Sequence, residues 1–357
     1  MTGSSLIEED VAKIARGIGA SADKLSGKTI LVSGGAGFLG KYFVGVFGYL
    51  NRQTLRKPCR VISLDNYMTG SQDAAFDFAD PQYVLQVRAD VTQPLPVREN
   101  IHYMIHAAGL ASPVYYMRYP LETIESAVTG VKNMLELSRR NPLEGFLLFS
   151  SSEIYGDPDP RSVPTPETYH GNVSPVGPRA CYDESKRLAE TIATIYFQKH
   201  GIPVKITRPF NVFGPGMKHD DYRVLPMFAY RALNGLTLPV HGDGRQTRTF
   251  CYITDAVVGF LKCLLVGQPG ETYNIGNDKN EISICDLARL VTEVVGQGAS
   301  FELAEYPSTY PAGEPQRRCP DLTKARNKLG YFPEVTLQAG TTRFIDWCRQ
   351  AKSYRSV

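Results

Sequence analysis

The sequence predicts an α/β fold, a doubly wound parallel sheet with a smaller, interleaved C-terminal domain. Three observations carry that expectation. Short apolar runs alternate with helical stretches from residue 28 to about 275, as in βαβ units whose sheet is covered on both faces. The first apolar run leads directly into a glycine-rich turn and a helix. A loop-rich stretch at 207–250 then interrupts the alternation before a helix and a strand resume it. At roughly 150 residues per domain, 357 residues suggest about two domains.

Residues 5–18 read as an amphipathic helix. Ser5 and Glu8 have capping-box spacing, and Ile7, Val11, Ile14 and Ile18 share one face. That helix is expected to pack on the main body, because a membrane-surface helix would carry more Lys and Arg. Strand candidates follow at 29–33 (TILVS), 60–64 (RVISL), 83–87, 102–106 (HYMIH), 145–150 (GFLLFS) and 204–207. Helices are expected from the glycine turn to about residue 49, and over about 121–140 and 182–200. Helix 254–266 and strand 271–275 return to the sheet, and helices mix with loops from about 281.

Composition narrows the function. Hydrophobic residues at 43% and charged residues at 21% describe an ordinary globular chain. A net charge of +3 is too even for a nucleic-acid or membrane-surface protein. The seven cysteines are odd in number, widely spaced and without CxxC, so reduced thiols are expected rather than a disulfide frame or metal site. Acidic residues stand where a signal peptide would be apolar, and no run approaches 18 apolar residues. The expectation is a soluble cytoplasmic enzyme.

The turn SGGAGFLG at 33–40 has the chemistry of a dinucleotide site. Gly34 permits a tight turn, Gly37 lets backbone approach a pyrophosphate, and Gly40 allows close helix–strand packing. Phe38 and Leu39 open the helix whose N-terminus attracts the anion. Asp65 ends the second strand 31 positions after Gly34, the stretch 51–59 supplying the extra length. Its carboxylate would bind ribose hydroxyls and repel a 2′-phosphate, and Gly35 stands where an NADP site could carry Arg. The cofactor is therefore expected to be NAD. Asn66, Asp90, Val91, Ala107 and Ala108 complete the cofactor-side candidates, Asp90 toward adenine.

Tyr182 and Lys186 form a YxxxK pair on one helix face. The fifth strand delivers Ser151, Ser152 and Glu153 to the sheet edge where ligands bind. Tyrosine titrates near 10, and an ammonium and a positive nicotinamide ring would each favour phenolate by about 1–3 units. Tyr182 would then take a hydroxyl proton while hydride leaves the same carbon, with Ser151 relaying it.

With HAAG at 106–109, SSSEIYGDP at 150–158, CYDESK at 181–186 and RPFNVFGPG at 208–216, the chain resembles the extended short-chain dehydrogenase/reductase superfamily of nucleotide-sugar epimerases and dehydratases, from about residue 28 to 349. GNVSPVGPRACYDESKRLAET at 171–191, GDGRQTRTFCYITD at 242–255 and RRCPDLTKARNKLGYFP at 317–333 are most similar to the UDP-glucuronic acid decarboxylases within it. The resemblance implies a Rossmann-type sheet and bound NAD. It also implies a homodimer through helices 121–140 and 182–200, with Leu188, Ile192, Ile195 and Tyr196 on its apolar face. The division is expected to be a helical extension at 1–27, an NAD domain of 28–206 plus 247–277, and a nucleotide-sugar domain of 207–246 plus 278–350.

The resemblance also implies roles. Tyr182, Lys186 and Ser151 form the redox set. Ser152-Glu153 stands where 4,6-dehydratases carry Asp-Glu, and serine cannot serve as their acid. Arg318 would meet the sugar carboxylate or supply a proton. Asn211 and Arg248 would bind the nucleotide diphosphate, with Ser152 also on the substrate side. The implied reaction oxidises C4 of UDP-glucuronate, releases carbon dioxide and returns hydride to yield UDP-xylose. The alternatives are a C4-epimerase, a dehydratase or another C4-oxidising enzyme; a non-catalytic dinucleotide sensor is the alternative of another class. Ala127, Gly109, Leu110 and Cys319 depart from the decarboxylase pattern and bear on the sugar.

Overall fold

The chain enters through α1 (Gly3–Gly17), then β1 (Thr29–Ser33), α2 (Phe38–Gln53), β2 (Arg60–Asp65), β3 (Val84–Arg88) and β4 (Tyr103–His106). Next come α3 (Pro113–Arg118), α4 (Pro120–Ser138), β5 (Gly145–Phe149), α5 (Ala180–His200) and β6 (Val204–Pro209). The computed structural model describes residues 3–71, 80–221, 223–296, 298–306 and 315–354. These strands and β11 (Thr272–Ile275) form one seven-stranded sheet in the order β11-β6-β5-β4-β1-β2-β3, every pairing parallel. β4 and β5 are buried throughout because helices cover both faces, which explains their unbroken apolar runs. β3 is the edge strand, and its Leu85 is 43% exposed.

The chain builds outward from β1 to β3 and then crosses back to β4. The connections that leave β1 and β4 therefore run to opposite faces of the sheet, and the crevice between them at the carboxyl ends is where an open α/β sheet binds ligands.

The second unit is assembled from β7 (Val212–Phe213), α6 (Val224–Leu233), β8 (Leu238–His241), β9 (Thr247–Thr249), β10 (Cys251–Tyr252), α7 (Ile253–Val266), β12 (Glu281–Ser283), α8 (Ile284–Val295), β13 (Phe301–Ala304), β14 (Arg317–Arg318), α9 (Thr323–Leu329) and α10 (Leu337–Gln350). Of these, α7 packs back on the main sheet. Three small sheets pair β10 with β7, β13 with β8, and both β12 and β14 with β9. Helix α6 corrects the loop expected across 207–250. Its Pro226 lies in the first turn, where no intrahelical N–H is needed. Leu225, Phe228, Ala229 and Ala232 bury one face at helical spacing.

Helix α1 packs on α2, α7 and α10, burying Leu6, Ile7, Val11, Ile14 and Ile18. It begins at Gly3, so Ser5 lies inside the first turn rather than at the cap. One polar group is buried with it. Asp10 is 2% exposed, and it accepts from Arg343 Nε and the Tyr252 hydroxyl, both at 2.8 Å. Among the described residues, no helix is long and apolar enough to cross a membrane.

Burial pushes the Asp10 carboxyl up to about 6, against the pull of Arg343 and Tyr252. Its folded value exceeds the unfolded one of about 3.9, so the folded chain holds the proton more tightly. The ionised group therefore lowers stability as pH rises through that window. Relative to the parent, Asp10→Asn should gain about 1–3 kcal/mol between about pH 4 and about pH 7 in urea unfolding. A constant difference across the window would contradict this.

Candidate active site

The crevice is lined first by glycine. Gly34 has φ 75°, and a Cβ on it would lie 2.7 Å from the Ala108 nitrogen and 2.9 Å from the Ala107 carbonyl carbon. The turn after β1 and the turn after β4 are thus in backbone contact, which only glycine allows. A Cβ on Gly40 would lie 2.0 Å from the Gly34 oxygen. Gly37, the N-cap of α2, has no such wall: its Cβ would meet only the Gly34 oxygen, at 3.1 Å. The α2 N-terminus at Phe38, Leu39 and Gly40 carries no side-chain cap, so its first N–H groups face a cradle that a diphosphate fits.

Gly35 leaves no room for an arginine, because its Cβ would stand 2.1 Å from Ser63 Oγ. Asp65 accepts from Ala36 N at 3.0 Å and from Tyr67 N at 2.8 Å. It therefore braces the loop, and each carboxylate oxygen keeps a lone pair for a ribose hydroxyl. Asn66 donates to Asp90 at 3.0 Å, and the Val91 carbonyl accepts from Asn133 at 2.8 Å. Beneath them, Ser33 Oγ and His106 Nδ1 lie 2.7 Å apart in the core. Burial and the Lys186 charge pull His106 down to about 3, so it is a neutral link between β1 and β4.

The second wall comes from the end of β5 and the first turn of α5. Tyr182 is 5% exposed and stacks on Tyr116 with ring centroids 5.4 Å apart. Lys186 Nζ donates to the Phe149 carbonyl at 2.8 Å and lies 5.8 Å from the Tyr182 ring centre. Burial pulls the Lys186 ammonium down to about 8, partly offset by Glu190. Glu190 is itself held by a two-pronged pair with Arg208. The structure corrects one expectation here. Burial pushes the Tyr182 phenol up to about 12, although a hydrogen bond with Ser151 lowers it. The chain alone keeps the phenol protonated, because burial dominates and the Lys186 ammonium donates to the Phe149 carbonyl.

Beside Tyr182 sits a cluster of charges. Glu153 accepts from Arg318 Nη1 on one carboxylate oxygen and from Arg179 Nη2 on the other. Burial alone would raise the Glu153 carboxyl. The Arg318 and Arg179 guanidiniums, with Arg248 beyond them, overcome that and hold it below the usual range. Arg318 pairs in register with Arg248 across β14 and β9, which brings two arginines distant in sequence side by side. Arg318 is 3% exposed, and its Nε has no partner among the described residues. That orphan donor fits an incoming anion. A guanidinium does not release its proton in a protein, so Arg318 fits the carboxylate-binding role and not the proton-donating one.

The chain matches known proteins. A model of the NAD dependent epimerase/dehydratase family matches residues 30–276. The chain belongs to that family. UDP-glucuronic acid decarboxylase 5 from Arabidopsis thaliana is 40% identical over 316 residues, covering 88% of this chain and 87% of the relative. UDP-glucuronic acid decarboxylase 1 from Xenopus tropicalis is 37% identical over 329 residues, 92% of this chain and 74% of the relative. The dTDP-glucose 4,6-dehydratase of Streptomyces venezuelae, in a structure with NAD bound, superposes with TM-score 0.77 at 26% identity, covering 91% of this chain and 98% of that one.

Two family-derived substrate residues are placed differently from the rest. Asn211 has φ 36° and donates to the Thr249 carbonyl at 2.8 Å, so its amide braces β9. Ser152 is 3% exposed within a short turn. Gly109 would bring a Cβ within 3.5 Å of Lys186 Nζ, and Ala127 and Leu110 are buried. Cys319 is buried against backbone carbonyls, and Cys181 reaches the Tyr116 carbonyl. Arg179, Asp183, Tyr116 and Arg223 join the site although none was singled out in the sequence. Arg223 lies over the Phe38 ring, 5.9 Å from its centre, and its charge reaches Tyr182. An arginine three residues before the YxxxK tyrosine was the available signal for Arg179.

The glycines separate packing from binding. Gly40→Ala should lower stability by about 2–4 kcal/mol, because backbone must move. Gly37→Ala should keep its melting temperature yet weaken dinucleotide binding about tenfold or more by calorimetry. Equal loss of stability in both variants would refute the assignment.

Proposed function

We propose that this chain decarboxylates UDP-glucuronate to UDP-xylose through a 4-keto sugar, using NAD. The observation that carries the reading is the buried Arg318, its Nε unpartnered among the described residues, beside Arg248 and paired with Glu153. A guanidinium at that place fits the C6 carboxylate of a glucuronosyl group. The decarboxylase relatives at 36–40% identity over about 90% of the chain support it. The residues at the crevice fit NAD: the α2 N-terminus and Gly37 would hold the diphosphate, Asp65 the ribose, and Asn66 and Asp90 the adenine end.

NAD supplies a hydride acceptor and, once reduced, the hydride donor for C4. Tyr182 accepts the C4 hydroxyl proton, with Ser151 hydrogen-bonded to the phenol. Lys186 fixes the tyrosine's helix against β5. The C4 ketone stands β to the C6 carboxylate, so carbon dioxide leaves as the carbonyl takes up the electron pair, and the resulting enolate takes a solvent-derived proton at C5 before hydride returns to C4. Arg318 holds the carboxylate until carbon dioxide leaves, and Glu153, kept ionised, orients substrate as an acceptor. Residues 28–206 with 247–277 form the cofactor unit and 207–246 with 278–350 the sugar unit, with 1–27 an extension packed behind α2. A C4-epimerase of a neutral nucleotide sugar would need no arginine for a C6 carboxylate.

We place the protein in the cytoplasm, where its seven free cysteines stay reduced, and as a homodimer through α4 and α5. Leu121, Ile124, Leu188 and Ile195 are exposed on those helices, whereas Ile192 and Tyr196 pack inward. Leu188→Lys with Ile195→Lys should halve the mass seen by light scattering; an unchanged mass would rule out this interface.

Purified protein given UDP-glucuronate and NAD should release carbon dioxide and a UDP-pentose, read by mass spectrometry. Absence of both would sink the decarboxylase reading. Tyr182→Phe should lower turnover about 100-fold or more while NAD still binds. Arg318→Ala should lose carbon dioxide release far more than C4 oxidation, so that the 4-keto acid accumulates. Equal loss of both would indicate general damage to binding.

A further inference from the structure

The site holds a guanidinium where helix physics disfavours one. Arg179 is the N-cap residue of α5, and its side chain makes no cap hydrogen bond. Its backbone is already helical, with φ −93° and ψ −19°, so the conflict is one of charge rather than of capping. A positive charge at that end opposes the helix dipole. A residue that breaks a local rule marks a constraint set elsewhere.

The constraint is visible in its partners. Arg179 Nη2 donates to Glu153, and Arg179 Nε stands 3.7 Å from Asp183 Oδ2. The three side chains are 17%, 19% and 9% exposed, so water screens these charges little. Asp183 directly follows Tyr182, and its Oδ1 is buried with no partner among the described residues. Burial and the nearby Glu153 charge push the Asp183 carboxyl up, and Arg179 and Arg318 offset this only in part. Glu153 is faced by Arg318 and Arg248 from β14 and β9, by Arg179, Asp183 and Tyr182 at α5, and by Tyr116 of α3.

We infer that Arg179 is a positioning residue, which fixes the plane of the Glu153 carboxylate against Arg318 and is itself held by Asp183. The inference deepens the decarboxylase reading and rests on it for its consequence in turnover. One guanidinium on each oxygen removes the carboxylate's rotation. The remaining lone pairs then point in set directions toward substrate. A lysine is a point charge without a planar fork, so it cannot serve Glu153 and Asp183 in the same way.

The test is infrared difference spectroscopy on ligand-free protein labelled with 13C-glutamate, with Glu153→Gln subtracted to isolate the Glu153 carboxylate band. Arg179→Ala should shift and broaden that band, and Arg179→Lys should restore it in part. In the enzyme assay, Arg179→Ala should lower kcat about tenfold or more and leave KM within about threefold. An unmoved band in a folded Arg179→Ala variant overturns the inference. If Arg179→Ala loses its circular dichroism, Arg179→Gln, which keeps a polar side chain, takes its place with the same two outcomes. Because the infrared measurement needs no substrate, a shifted band in a chain that makes no UDP-xylose overturns the substrate reading and leaves the positioning role standing.

Discussion

The pairing of Glu153 with two guanidiniums is the interaction on which the site depends. Its partners come from three parts of the chain: the turn after β5, the cap of α5 and the short strand β14. Arg318 is 165 residues away in sequence. The smaller unit is thereby tied to the main sheet at the crevice itself, and not only through its outer helices. An ionised carboxylate this shielded from water persists only with such partners. Three arginines gather around one firmly ionised carboxylate, with Asp183 pushed toward its neutral form. The cluster is therefore short of negative charge, and an anionic substrate group relieves that.

The tyrosine is governed by the opposite balance. Burial keeps Tyr182 protonated, and Lys186 is tied to the Phe149 carbonyl. A phenol in that state takes no proton from a sugar. A positive ring placed beside it changes the balance, because a cation within a few ångströms lowers a phenol's pKa by about 1–3 units. In the proposed reaction, proton abstraction would thus be conditional on the oxidised cofactor being in place, which would couple the base to the hydride acceptor without a moving part.

Legibility followed the range of each cause. The βαβ order, the glycine turn, Asp65 and the YxxxK pair were readable because each is set within about 30 residues of sequence. Helix α6 was hidden by its neighbours: FNVFGPG and HGDGRQTR made the whole stretch read as loop, although VLPMFAYRAL buries one face at helical spacing. The direction of the Tyr182 shift was not readable, because it depends on where Lys186 donates and how deeply the ring is buried. Arg248 and Arg318 had to be carried over from the family, since only the β9–β14 register makes them neighbours. Asp10 was invisible as a core group until Arg343, more than 300 residues later, was seen to cover it.

The ionisation of this cluster also constrains the proton that must reach C5 after carbon dioxide leaves. Glu153 is held as a carboxylate and is an acceptor only. Arg179, Arg248 and Arg318 keep their protons at any working pH. Ser152 offers a hydroxyl far too weak an acid for the task, where a dehydratase would place a carboxylic acid. In the proposed reaction the proton on Tyr182 is needed at the C4 oxygen when hydride returns, so the C5 proton, drawn from solvent in net terms, would pass through Asp183, whose carboxyl burial pushes toward the neutral form. The same guanidiniums that seat the carboxylate therefore leave proton return to α5, the helix that began the reaction.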